Sequence, residues 1–368
     1  MPQFRDLCGT HVPGESLMQR ATLAMKLAEE VAQRVRGTTS PNPPVGAVVV
    51  SAEGKIVGAA ATEPVGGLHA EPQALAMADS QAKGGLLVVT LEPCHHQGRT
   101  PPCTGAVASS GVAAVAFAVS DPNPVAAGGA TWLEQQHLTV LPGVGTDMVS
   151  EGSLAAWLHW QRTGKPRITV KTATTLNGFI AATDGSSQWI TGARARQFVH
   201  EDRQLRDAIV VGTGTVLKDN PRLTARKPKG ALFERQPTRV VIGTREIPSE
   251  YAITQPIARA AEGSSSEREN FLQLATHDVE QWITELGNRG FVDVLVEGGA
   301  TLIASLFEAD AIDMIDAYIA PAMLSNGIKA IEPAPNSSLA TTSMAEIRRF
   351  QTRDVITLSD DILLRLVK

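Results

Sequence analysis

Glu92-Pro93-Cys94-His95-His96-Gln97-Gly98-Arg99-Thr100-Pro101-Pro102-Cys103, together with the earlier Leu68-His69-Ala70-Glu71, puts one imidazole, two thiols and a carboxylate into a short stretch of chain. His69, Cys94 and Cys103 are soft donors suited to zinc. Three protein ligands leave the fourth tetrahedral position to water, which separates a catalytic site from a closed structural one. Glu71 need not bind the metal; standing aside, it can carry a proton from water to a leaving nitrogen. Pro72 is tolerated in a helix's first turn, so His69 and Glu71 are expected at or just before a helix start. Thr100 reads as the N-cap of a second helix, with Pro101 at its first position and Cys103 in its first turn. There the macrodipole lowers the cost of a thiolate. Gly111 suits the C-terminal cap of that helix.

Taken singly, each residue reads better as part of a polar helix start or as an ordinary buried thiol than as a site residue. Jointly they form the pattern of zinc-dependent deaminases, His-x-Glu followed by Pro-Cys and a second Cys. His95 or His96 could close the coordination shell, but a neighbour of Cys94 is awkwardly placed as a further ligand. A surface role for His95 and a substrate contact for His96 are the preferred readings.

Working outward, 368 residues exceed what one hydrophobic core usually serves, so two domains are expected. Leu17, Ala21, Ala24, Leu27, Ala28, Val31 and Val35 recur at helical spacing, with Gly37 as the stop. Strands are predicted at Val45 to Val50, Ile56 to Ala60, Leu86 to Leu91 and Val112 to Val119, interleaved with helices after His69 and Pro101. That alternation predicts a layered α/β domain. A Trp-rich helical stretch with Trp157 and Trp160 leads to the polar break Arg162-Thr163-Gly164-Lys165-Pro166. The expected organisation is an extension over residues 1–16, a first domain over 17–160 and a second over 161–368. In the second, strands are predicted at Arg167 to Thr175, Ala208 to Val211, Arg239 to Ile242, Val292 to Val296, Met314 to Ile319 and Ile356 to Leu366. Ala258 to Asn270 reads as a charged, serine-rich surface excursion.

Lysine and arginine total 33 against 38 acidic residues, and no basic stretch stands out, which argues against a nucleic-acid surface. Three cysteines, two of them in the metal motif, fit a reducing compartment better than a disulfide framework. Cys8 lies apart, near an N-terminus expected to be mobile. Met1 to Arg20 has no apolar core behind a basic start, and no apolar run is long enough for a membrane span. The expectation is a cytoplasmic protein with no membrane partner.

Eight residues separate Cys94 from Cys103, where the usual deaminase signature has two. With Pro41-Asn42-Pro43-Pro44-Val45-Gly46, Thr90-Leu91-Glu92-Pro93-Cys94, Gly98-Arg99-Thr100-Pro101-Pro102-Cys103 and Asp121-Pro122-Asn123-Pro124, the chain resembles the bifunctional riboflavin-biosynthesis deaminase/reductase family. The resemblance implies a cytidine-deaminase-like three-layer α/β/α domain followed by a dihydrofolate-reductase-like α/β domain. It implies deamination of a diaminopyrimidinone bearing a ribosylamino 5′-phosphate, with His69, Cys94 and Cys103 on zinc, Glu71 moving protons, and Asn42 and His96 on the substrate. Thr62 stands where the family commonly has a histidine.

Val294-Leu295-Val296-Glu297-Gly298-Gly299-Ala300-Thr301-Leu302 reads by itself as a strand, a glycine turn and a helix start, a weak signal for an anion site. Lys171-Thr172-Ala173-Thr174-Thr175-Leu176-Asn177-Gly178, Ser187-Gln188-Trp189-Ile190-Thr191-Gly192 and Gly212-Thr213-Gly214-Thr215-Val216-Leu217-Lys218-Asp219-Asn220-Pro221 extend the resemblance to the reductase half. By that resemblance the domain uses NADPH to reduce a ribosyl to a ribityl group. Ala173, Trp189, Thr215, Asp219, Thr244 and the run Gly299, Ala300, Thr301, Leu302, Ile303, Ala304, Ser305 would surround NADPH. Ser187, Arg203, Leu223, Arg226 and Glu297 would surround the phosphorylated substrate, with Lys171 as the cation that meets developing negative charge. The resemblance also implies a homo-oligomer assembled through the reductase domain. Asn177 and Phe179 replace an acidic and a basic residue usual in the family. If that carboxylate is chemically required, the alternative is a deaminase with a weak or inactive reductase; if it shapes a turn, asparagine serves. Two further alternatives are a deaminase acting on RNA, opposed by the acidic balance, and a zinc-stabilised binding module, opposed by Glu71.

Overall fold

The computed structural model describes residues 4–14, 16–98, 101–257, 270–332 and 343–368. The stretch Ala258 to Asn270, apart from Asn270 itself, and Arg99 and Thr100 lie outside the described residues. The chain divides between Thr163 and Gly164 into two compact units.

The first unit is built on strands β1 (Gly46–Val50), β2 (Ile56–Ala61), β3 (Leu86–Leu91), β4 (Ala114–Val119) and β5 (Thr139–Pro142). They lie in the order β2-β1-β3-β4-β5, with β1 antiparallel to both neighbours and β3, β4 and β5 parallel. Its helices are α1 (Leu17–Gln33), α2 (Ala70–Ala78), α3 (Cys103–Ser109), α4 (Gly129–Gln135), α5 (Thr146–Ser150) and α6 (Ala155–Thr163). Two glycines show how the layers close. A Cβ on Gly46 would lie 2.1 Å from the Ala28 carbonyl oxygen of α1, and one on Gly58 would lie 2.1 Å from that of Ala74 in α2. Gly58 pairs with Val49, and side chains alternate along a strand, so Gly46 and Gly58 face opposite sides of the sheet. The sheet is therefore sandwiched between α1 and α2. Its central strands β1 and β3 are buried throughout, hence their unbroken apolar runs.

The N-terminal extension is tied down. Phe4 and Val12 are buried, and Gly9 and Val12 donate backbone hydrogen bonds to the carbonyls of Ile56 and Gly54. This pairing covers the outer edge of β2, an edge that otherwise presents unpaired backbone groups. The half-buried Cys8 sits with its sulfur 3.8 Å from that of Met77, contrary to the expectation of a mobile terminus.

In the second unit, strands β6 (Arg167–Thr175), β7 (Phe179–Ala181), β8 (Ala208–Gly212), β9 (Thr238–Ile242), β10 (Phe271–Leu274), β11 (Asp293–Val296), β12 (Met314–Ala320), β13 (Ile328–Lys329), β14 (Gln351–Leu358) and β15 (Asp361–Val367) are joined by helices α7 (Ala193–Arg203), α8 (Thr213–Asp219), α9 (Val279–Asn288) and α10 (Ala300–Glu308). Eight strands form one sheet in the order β10-β9-β8-β11-β6-β12-β15-β14, and β7 pairs with β13 separately. The members from β10 to β12 are parallel; β15 and β14 close the sheet antiparallel. The run Ile356 to Leu366 is thus two strands and not one: the chain reverses at Ser359, whose φ is 62°. The reversal uses Ser359-Asp360, polar turn residues inside an otherwise strand-like run.

Val279, Trp282, Ile283 and Leu286 place one apolar face of α9 on this sheet, and Trp282 is fully buried. Replacing such a side chain by alanine costs about 3–5 kcal/mol. Arg206 is also buried, held by Asp202, Asp293 and Thr169 with Asp316 at 3.6 Å. Removing one partner of such a cluster costs roughly 3–5 kcal/mol, because a buried charge is left uncompensated. Among the described residues no helix is long and apolar enough to cross a membrane.

Candidate active sites

His69 is the N-cap of α2, with extended backbone and no capping bond from its side chain. Gln73 anchors this corner, its side-chain amide donating to the carbonyls of Ala61, Leu68 and His69. Cys94 follows β3, and Cys103 is the first residue of α3. The helix begins later than the sequence reading: Pro102, not Thr100, is the N-cap, and Pro101 precedes it. The reason is the pair of prolines, since Pro102 holds Pro101 away from helical backbone. Gly111, at φ +79, follows the helix as expected.

These elements converge. The ligand atoms of His69, Cys94 and Cys103 all lie within 4.8 Å of one another. His69 Nδ1 is 3.2 Å from Cys103 Sγ and 3.6 Å from Cys94 Sγ, and the Cys103 amide donates to Cys94 Sγ at 3.5 Å. Hydrogen bonding from the Cys103 thiol, opposed by burial and helped by His69, pulls the Cys94 thiol down to about 4. The hydrogen bond that His69 gives to the Cys94 sulfur raises the His69 pKa against the opposing effect of burial. A thiolate, a second thiol and an imidazole in a triangle of this size are a fitting donor set for a dication. Glu71, in the first turn of α2, is 4% exposed, and burial pushes its carboxyl up to about 7. A group poised there can both take and release a proton near neutral pH.

The triangle opens into a cavity of about 520 Å³ lined also by Asn42, Thr62, His96, Asp121, Asn123, Trp157 and Trp160. His96 Nδ1 is buried there without a hydrogen-bond partner, which leaves it free for a ligand. His95 points elsewhere: it is exposed, stacks on Trp132 at 5.1 Å and meets Thr104 Oγ1 at 3.0 Å. Asn42 sits in a tight turn closed by its amide to Thr39 O and by Thr39 Oγ1 to Asn42 O.

A second cleft, of about 1020 Å³, lies in the second unit. At one end is a buried ion cluster. Arg203 Nε and Nη2 donate to the two oxygens of Glu297 at 2.6 and 2.9 Å, and Lys171 Nζ is 3.9 Å from the same carboxylate. Burial alone would raise the Glu297 carboxyl, but Arg203 and then Lys171 outweigh it and hold it at about 2. Lys171 is lowered, burial outweighing the attraction of Glu297. Burial, with Arg203 and Arg226 adding, brings the neighbouring His200 to about 4.

Comparison with known proteins supplies the rest. Residues 18–119 match the cytidine and deoxycytidylate deaminase zinc-binding region, and residues 166–364 match the RibD C-terminal domain. The chain is 44% identical to the riboflavin biosynthesis protein RibD of Mycobacterium tuberculosis over 344 residues, covering 94% of this chain and 96% of that one. The chain belongs to the RibD family. RibD of Escherichia coli is 36% identical over 367 residues, covering 93% of this chain and 98% of the relative. Among solved structures, Acinetobacter baumannii RibD matches with a TM-score of 0.81 at 32% identity, covering 96% of this chain and 99% of that one. A Thermotoga maritima deaminase/reductase matches with a TM-score of 0.80 at 30% identity and the same coverage. As a member of the RibD family the chain is a bifunctional deaminase/reductase of riboflavin biosynthesis, with a zinc-binding deaminase domain and a reductase domain that uses NADPH.

Set beside the RibD expectations, the second cleft is lined by Lys171, Ala173, Ser187, Trp189, Arg203, Thr215, Asp219, Leu223, Arg226 and Glu297, with Gly299 to Ile303 and Ser305. Thr244 and Ala304 are not among its lining residues; Ala304 is buried in α10, and Thr244 is exposed beside the lining Arg245. Arg203 differs in role from a phosphate clamp. Its fork is spent on Glu297 and its Nη1 on Thr224 O, so it holds Glu297 in place. Arg226, whose buried Nε has no partner, and the exposed Arg222 have the free donors.

Two departures from the RibD pattern find a place. Thr62 lines the deaminase cavity, but its hydroxyl is engaged with the backbone of Val45, accepting from the amide at 3.1 Å and donating to the carbonyl at 3.4 Å. Asn177 does not line the reductase cleft. Its amide donates to Leu324 O and accepts from Leu324 N, and its oxygen accepts from Thr175 Oγ1, so it pins a turn. The sequence reading missed Trp157, Trp160 and Asp121 at the first cavity; only the Asp-Pro-Asn-Pro motif hinted at the last of these.

Proposed function

We propose that the first site deaminates a diaminopyrimidinone carrying a ribosylamino 5′-phosphate and that the second reduces the ribosyl group of the product to ribityl, giving 5-amino-6-ribitylaminouracil 5′-phosphate. The Thermotoga maritima relative is described as a diaminohydroxyphosphoribosylaminopyrimidine deaminase and 5-amino-6-(5-phosphoribosylamino)uracil reductase. The observation that carries the reading is the buried Glu71 carboxyl beside the His69/Cys94/Cys103 triangle, facing the same cavity as Asn42 and His96.

His69, Cys94 and Cys103 would hold zinc, which supplies the acidity that makes water a nucleophile at neutral pH. Glu71 takes a proton from the attacking water and delivers it to the amino nitrogen. Ammonia then leaves and a ring carbonyl remains. His96 Nδ1 and the Asn42 amide orient the base, and Trp157 and Trp160 exclude bulk water from one side.

At the second site NADPH would supply the hydride, received at C1 of the sugar. Ala173, Trp189, Thr215, Asp219 and the start of α10 surround the cofactor, and the free amides there suit its diphosphate. Ser187, Leu223 and Arg226 take the phosphorylated substrate. Lys171, held by Glu297, gives the proton that balances the hydride at the sugar heteroatom. A cytoplasmic location and assembly through the reductase domain belong to the same reading; the edge strand β14, with Val355 64% exposed, supports the latter. The test is to supply the diaminopyrimidinone phosphate to metal-quantified protein and follow products by mass spectrometry. With NADPH the ribityl product is expected, and without it the deaminated product alone. Deaminated product alone despite NADPH would leave the reductase half of the proposal without support.

A further inference from the structure

The reductase cleft carries a cation at the end opposite its ion cluster. Lys171 on β6 and Glu297 just past β11 mark the chemical end. From there the sheet runs β6-β11-β8-β9, three strand spacings or about 14 Å. Arg245 follows β9 and lines the cleft at that far end, together with His277.

The turn that carries Arg245 is held in place. Gln273 of the neighbouring β10 donates from its side-chain amide to the carbonyls of Gly243 at 3.0 Å and Arg245 at 2.8 Å. Gly243 has φ +126, and a Cβ there would lie 2.8 Å from Thr213 Oγ1, so the turn lies tight against the start of α8. Arg245 Nε reaches Thr213 Oγ1 at 3.3 Å, and its Nη2 lies over Gly214. Among the described residues no carboxylate pairs with Arg245. Its Nη donors therefore face the cleft without a counter-charge.

The other cations of the cleft have other places. Arg226 lies close enough to Arg203 and Arg222 for their charges to lower its pKa along with burial, which sets it at the Glu297 end. Lys218 lies against Gly185, and Arg196 stacks over Trp189 at 4.3 Å. The cofactor is a long molecule whose hydride-bearing ring must reach the Lys171 end. Its adenosine ribose then falls towards β9. A phosphate at the ribose 2′ position is what distinguishes NADPH from NADH, and a guanidinium fork matches phosphate oxygens bidentately.

We infer that Arg245 grips the 2′-phosphate and is the residue by which this chain selects NADPH over NADH. The inference rests on the reading of the cleft as the NADPH site. It is tested by calorimetric titration of the full chain and of Arg245→Gln and Arg245→Lys with 2′,5′-ADP, 5′-AMP, NADPH and NADH. The exposed position of Arg245 leaves folding undisturbed. Arg245→Gln is expected to weaken 2′,5′-ADP and NADPH about tenfold or more, the scale of a lost charge-assisted pair, with 5′-AMP and NADH unchanged. Arg245→Lys should recover part of the difference. In turnover the KM for NADPH rises while kcat stays within about twofold, as for a contact made equally in ground and transition states. Unchanged 2′,5′-ADP binding in Arg245→Gln would overturn the assignment. So would equal losses of 5′-AMP and 2′,5′-ADP, which place the arginine on another part of the nucleotide. Failure of the wild-type chain to bind NADPH at all would instead remove the cofactor reading of the cleft, and this inference with it.

Discussion

The two sites of this chain are built in opposite ways. The deaminase site draws its four working side chains from two helix starts and one strand end, between residues 69 and 103, and its chemistry resides in those four groups. The reductase cleft gathers residues from Lys171 to Glu332 across the ends of four parallel strands, and its ion cluster joins Lys171, Arg203 and Glu297 from distant parts of the chain. A compact site built from a motif concentrates function in one or two side chains. A distributed one spreads it over positioning groups, so its single-residue effects are smaller and more mixed with stability.

The largest effect expected is at Glu71. Glu71→Gln keeps the shape and loses the proton carrier, so deamination should fall by about 10²–10⁴, the span of a general acid–base contribution. Zinc content and reductase turnover should be unchanged.

Glu297→Gln is the counterpart in the second site. It leaves Arg203 and Lys171 with no carboxylate between them, so reductase activity and stability should fall together, the latter by roughly 3–5 kcal/mol. Denaturant unfolding and NADPH oxidation measured side by side check this. A full loss of activity with unaltered stability would mean that the pair is chemical and not supporting.

Asn177→Asp asks whether the missing family carboxylate matters. An aspartate can accept from Leu324 N but cannot donate to Leu324 O, so a loss of about 1 kcal/mol is expected with reductase kcat within about twofold. A tenfold gain in kcat would show that the departure weakens the enzyme.

The smallest effect is a pH dependence at His200. Its pKa is depressed in the fold to about 4, so the unfolded chain binds its proton first as pH falls. Its contribution to stability is complete above about 6.5 and declines as pH drops towards 4. The melting temperature of His200→Gln should therefore fall less steeply over that window than that of the wild type.

The same contrast governs what was legible in the sequence. His69, Glu71, Cys94 and Cys103 announce themselves because zinc chemistry demands those residue types at restricted spacing. The buried central strands were readable for a similar reason: β1, β3 and β8 have no solvent face, and their apolar runs are unbroken. Short or half-exposed strands such as β5 and β10 have no such pattern and went unseen. The cluster around Arg206 was also hidden, because Asp202, Asp293 and Asp316 are far apart in the chain and each resembles a surface acid until the fold brings them together. Arg203 was expected around the phosphorylated substrate for the same reason. Its type is right for that task, and only the geometry shows its donors spent on Glu297.

The most direct measurement of the central claim, two separable chemistries on one chain, uses Glu71→Gln with each substrate in turn. Given the diaminopyrimidinone phosphate and NADPH, this variant should yield neither deaminated nor reduced product beyond trace while retaining its full zinc content. Given the deaminated uracil intermediate and NADPH, it should form the ribityl product at the wild-type rate. Deamination at the wild-type rate by Glu71→Gln, or failure to reduce the supplied intermediate while the wild-type chain does so, would contradict the account.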